Sequence, residues 1–114
     1  MASEPSTDFL PISPLVTLAS FSGWIGDHFD LRSLGAAQES AQLIEATAIQ
    51  GALPSSTDGR VSFRFTFRVR HDWAPRQQIF NVVHSKQGEL GGIFLVPVAK
   101  DSRGILLEGI FNFI

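Results

Sequence analysis

Val61 to Arg70 is the most regular stretch of the chain: Val61, Phe63, Phe65, Phe67 and Val69 alternate with Ser62, Arg64, Thr66, Arg68 and Arg70. Strict alternation over ten residues predicts a half-buried β-strand, phenylalanines inward and arginines outward. Phe29 and Leu31 alternate in the same way with His28, Asp30 and Arg32. Ser40 to Gln50 is ambiguous, because Leu43, Ile44 and Ile49 among several alanines would also suit a short helix. Its β-branched Thr47 and Ile49, and the strands around it, favour a strand. Gln77 to His84, Gly92 to Val98 and Ile105 to Ile114 supply three more strands. Polar turns at Ser85–Gly88 and Ala99–Gly104 separate them, and Leu53–Gly59 is a loop by its turn chemistry.

One helix is expected. Thr17 is a suitable N-cap, and Leu18, Phe21 and Ile25 follow at three- and four-residue spacing. Gly26 suits the left-handed position just past a helix end. Two turns make this element a plug on something larger, with Trp24 part of the same buried contact. Short strands joined by short polar connections pair antiparallel, since a parallel pair needs a crossover of about a dozen residues. The expected fold is therefore all-β: a compact antiparallel barrel or sandwich of about six strands with one short N-terminal helix.

The 114 residues suit one domain. Residues 1–14, with Pro5, Pro11, Pro14 and several serines, read as a flexible arm, and residues 15–114 as a single β domain. The start is acidic, and Phe9-Leu10 is its only apolar pair, unlike a secretory signal; the expected location is cytoplasmic. No apolar run approaches the ~20 residues of a membrane helix. A net charge of −2 argues against a generic nucleic-acid coat. Zero cysteines exclude disulfides, a thiol nucleophile and thiolate metal sites.

The remaining chemistry is sparse. His28, His71 and His84 sit at three different strand ends without the short paired spacing of a zinc site. His84 shares the face of Phe80 and Val82, so a hydrogen-bonded histidine closing a hairpin is expected there. The chain has no Gly-x-Ser-x-Gly elbow, phosphate loop or dinucleotide fingerprint. Glu45, Glu89 and Glu108 offer carboxylates that, on the plainest reading, pair with the arginine face of the Val61–Arg70 strand. No enzyme activity, metal or cofactor is expected.

Two surfaces stand out as contact candidates. Five of the nine basic residues, Arg60, Arg64, Arg68, Arg70 and Arg76, fall within seventeen positions. Stacking aromatics would share their face in an RNA-binding sheet, but Phe63, Phe65 and Phe67 point the other way. Arg64, Arg68 and Arg70 are therefore expected to meet solvent or an acidic protein partner. The chain also ends on Ile110-Phe111-Asn112-Phe113-Ile114, apolar on both faces. Such a strand has to be covered, so Phe111, Phe113 and Ile114 are expected to contribute to a homodimer or a closing strand.

The C-terminal third carries a resemblance. Gln77, Phe80, Val82 and His84, then Gly88, then Ile93-Phe94-Leu95-Val96-Pro97-Val98, then Glu108-Gly109-Ile110-Phe111-Asn112 form an ordered pattern. It resembles a family of short uncharacterised bacterial proteins often encoded beside phage-tail-collar (microcystin-dependent) proteins. Leu18, Phe21, Gly26 and Phe29 look like that family's opening, so the resemblance covers most of residues 17–112. Its one dense motif is Phe94 to Val98. Gln78 stands where the family favours Gly, and Phe80 and Leu107 where it favours Tyr. The resemblance implies a non-catalytic component linked to tail-like or surface-fibre assemblies, with a tail-collar-like protein as partner.

The expected function is thus a structural or protein-interaction domain. The alternative is a small barrel that binds a hydrophobic molecule inside, although a barrel of this size is normally filled by its own side chains.

Overall fold

In the computed structural model, which describes residues 11–33, 38–49, 61–73 and 76–112, the alternating segments close on themselves. The six strands are β1 (His28–Arg32), β2 (Gln38–Ala48), β3 (Phe63–Val69), β4 (Gln78–His84), β5 (Gly88–Asp101) and β6 (Gly104–Phe111). They form a closed barrel in the order β1-β2-β3-β6-β5-β4, with every pairing antiparallel. Two three-stranded meanders, β1–β3 and β4–β6, are therefore joined along β3/β6 and β1/β4. The expected barrel-or-sandwich choice resolves to the barrel.

The inward residues fill it. Phe29, Phe63, Phe65, Phe67 and Phe80 are buried together with Leu31, Leu43, Leu90, Leu95 and Leu107. The rings interlock: Phe65 lies 5.6 Å from Phe67 and 5.7 Å from Phe111, and Phe29 lies 5.0 Å from Phe67. Gly109 makes room for this packing, because a methyl group there would overlap the Phe65 ring. Aromatic pairs at these separations add stabilisation beyond the area they bury.

The helix is shorter than its spacing predicts. Thr17 caps it by accepting the Ser20 N–H at 3.1 Å, but α1 spans only Leu18–Gly23. Ile25 falls beyond it and is exposed, so it does not belong to the buried stripe. Gly26, with φ +98°, serves the turn into β1, where its N–H donates to the Leu43 carbonyl. Phe21 is the plug, buried against Phe65 at 4.8 Å and Phe63 at 5.3 Å. Upstream, Ser13 N–H donates to the Leu90 carbonyl at 2.9 Å, which ties the chain to β5 before the helix begins. Residues 1–10 and the expected loop at 53–59 lie outside the described residues.

Three bulges interrupt the ladders, between Leu43/Glu45, Val82/Val83 and Pro97/Ala99. Each leaves one residue extra and shifts the alternation beyond it. Ile44 is the extra residue in β2, which explains why Leu43-Ile44 breaks the period of two in the sequence. Pro97, which has no N–H to donate, sits at the bulge of β5. Strand β5 runs from Gly88, four residues earlier than its hydrophobic run suggests. Among the described residues no helix is long and apolar enough to cross a membrane.

Candidate functional site

His84 makes three side-chain hydrogen bonds. It is buried at the end of β4, where its Nδ1 accepts the backbone N–H groups of Lys86 (3.1 Å) and Gln87 (2.9 Å). With that lone pair taken, the ring proton sits on Nε2, which donates to the Asp27 carboxylate at 2.8 Å. Trp24 stacks on the ring at 4.5 Å and Phe29 meets it edge-on. Both nitrogens are committed, so His84 fastens the β4–β5 hairpin to the segment after the helix, as the sequence suggests. His28 and His71 are exposed elsewhere, and no group of three metal-ligating side chains occurs among the described residues.

The arginine face divides into unlike parts. Arg68 keeps only 17% of its side chain exposed and donates from Nη2 to Asp101 at 3.1 Å. Arg70 reaches Glu39 at 3.2 Å and Asp72 at 3.4 Å. Arg64 stands apart, opposite Thr47 on one side and Ile110 on the other. The acids that meet Arg68 and Arg70 are thus Asp101, Glu39 and Asp72, whereas the sequence suggests Glu45, Glu89 and Glu108. Glu45 and Glu108 instead flank Thr66 from either side, and Glu89 pairs with Val83. Ser62 and Thr66, expected at the surface, are buried.

Asp101 is held ionised by its surroundings. Its Oδ1 accepts the Arg103 N–H at 2.8 Å across the β5–β6 turn, and its Oδ2 accepts from Arg68. The Arg103 backbone bond, then the Arg68 side-chain bond, draw its carboxyl below the ordinary aspartate value.

Around Arg68 an open groove of about 280 Å³ crosses β1, β2 and β3. His28, Gln42 and Arg68 stand side by side in register across the three strands. Ser40, Arg70 and Arg103, the last from the β5–β6 turn, complete its polar wall. This grouping was only partly legible in sequence, since Arg103 and His28 lie far from the Val61–Arg70 strand.

A second groove, of about 260 Å³, is apolar. Phe94, Val96 and Val98 of β5 and Glu108 and Ile110 of β6 line it. Phe94 is 51% exposed, Val98 51% and Ile110 53%. Ile79 of β4, paired with Phe94, extends the strip. Phe111, singled out from sequence as a contact residue, turns inward to stack on Phe65 and pack on Phe63. Its neighbour Ile110 is the outward one. Phe113 and Ile114 lie outside the described residues.

Fold and surface together define a small, closed, antiparallel β-barrel domain with a filled interior and two unlike grooves outside. Its family is established by a match across most of the barrel: the chain belongs to the proteins carrying a domain of unknown function, DUF6916, whose model covers residues 16–111. No match is found among curated proteins or among solved structures.

Proposed function

We propose that this barrel is a non-enzymatic interaction domain, a structural or accessory part of a larger assembly, and that it meets its partner through the outer face of β5 and β6. The observation that carries this reading is the exposed strip of Phe94, Val98 and Ile110 on a barrel whose interior is already full. Contiguous apolar surface on a folded domain marks a contact site more often than an accident of composition. Closure of the barrel decides the geometry of contact. A closed sheet has no free edge for strand addition, so a partner has to pack face-on against side chains. The same face would serve a homodimer.

The hydrophobic-ligand alternative loses support from the packing. The phenylalanines that would line an internal cavity are buried against one another, and the two grooves open outward. Assignment to a tail-like or surface-fibre assembly rests on the resemblance carried by Ile93–Val98 and Glu108–Asn112. The test is co-purification with neighbouring tail-collar proteins as bait, comparing wild type with Ile110→Asp. Capture lost in the variant, with melting unchanged, supports the reading. Capture no better than that of an unrelated β domain overturns it.

A further inference from the structure

We propose that the polar groove across β1, β2 and β3 is a binding site for the phosphate-monoester group of a small molecule. This surface is separate from the β5–β6 strip, so the two readings stand or fall independently.

Three arginines line the groove from two directions: Arg68 and Arg70 from the end of β3, and Arg103 from the β5–β6 turn. Their commitments to protein are incomplete. Arg68 uses Nη2 on Asp101, while its Nε is buried with no hydrogen-bond partner among the described residues. A charged donor left unmet is destabilising, and an oxyanion that reached it would relieve that cost. Arg70 meets Glu39 and Asp72 through Nε, at 3.2 Å and 3.4 Å. The Arg103 side chain enters no ion pair among the described residues, because Asp101 is met by its backbone N–H. His28 and the Ser40 hydroxyl add donors on the opposite wall.

The arrangement suits a tetrahedral dianion better than a carboxylate. A carboxylate offers one planar fork, which a single arginine can satisfy. A phosphate monoester presents three peripheral oxygens and about −2 charge, so donors arriving from β3, from the turn and from β1–β2 can each take one. The carboxylate already present makes the point: Asp101 engages Arg68 through one oxygen and leaves Nε orphaned. Four acids lie nearby, Glu39, Asp72, Asp101 and Asp30. Asp30 faces Arg32, and the other three meet Arg70 or Arg68. At about 280 Å³ the groove has room for a group of phosphate size.

The experiment is a nuclear magnetic resonance titration of the full chain with inorganic phosphate, phenyl phosphate, benzoate and sodium chloride at matched ionic strength. Phosphate and phenyl phosphate should give saturable shifts at the Arg68 Nε–H and at the Gln42, Val69 and Gly104 amides. Arg103→Gln, at an exposed position, should weaken phenyl phosphate by about tenfold, the value of one charge-assisted hydrogen bond. Arg64→Gln, elsewhere on β3, should leave affinity unchanged. Linear shifts that chloride reproduces, benzoate binding as well as phenyl phosphate, or an Arg103→Gln variant with wild-type affinity would each overturn the proposal.

Discussion

Strands β3 and β5 run through the same barrel and treat apolar residues in opposite ways. In β3 the phenylalanines all point inward, and the outward positions are polar without exception. In β5 the bulge at Leu90 resets the alternation, so Ile93 and Leu95 are buried while Phe94 and Val98 face out. One strand fills the core; the other fills the core and also coats the exterior with apolar surface. Closure needs only the first behaviour. The second goes beyond what closure requires, which is why β5 rather than β3 carries the proposed contact face.

The comparison is broken most decisively by matched phenylalanine truncations. Phe65→Ala should destabilise by about 3–5 kcal/mol, because it removes a ring packed on four others. Phe94→Ala should change stability by no more than about 0.5 kcal/mol. Urea denaturation of both variants checks this, and equal losses would mean that the two strands do not differ as described. Next in size is His84→Ala, expected to lose about 2–4 kcal/mol through the cavity and the two orphaned turn amides. Protection of the Lys86 and Gln87 amides from hydrogen exchange should fall with it. Thr17→Ala should remove about 1 kcal/mol by uncapping α1.

The smallest expected effect is electrostatic and lies at the Asp101 turn beside the polar groove. Because folding lowers the carboxyl's pKa, its contribution is present above the ordinary aspartate range and is lost as pH falls through the lowered value. The stability gap between wild type and Asp101→Asn should therefore close in acid and remain constant at neutral pH. A gap that widens in acid would reverse the assigned sign.

Legibility in the sequence followed the same division. Strand β3 could be read residue by residue because no bulge disturbs it. The Leu43-Ile44 step in β2 read as a possible helix because the bulged Ile44 sits outside any period. The outward Phe94 was not separable from its apolar run, since a run of six apolar residues has no phase to read. Ile110 and Phe111 posed the same problem, and only the barrel register sends one out and the other in. Among the polar residues, the role of His84 followed from its face, whereas its bond to Asp27 joins residues 57 positions apart. The arginine groove needed three strands and a turn to assemble, which no local spacing encodes.

Sedimentation velocity over a wide concentration range, on wild type and on Ile110→Asp, tests the central claim most directly. The β5–β6 face predicts a reversible homodimer at micromolar concentration for wild type. It predicts a monomer for Ile110→Asp, with the two melting temperatures alike. A wild type that stays monomeric throughout, or a dimer that survives Ile110→Asp, would contradict self-association through this face.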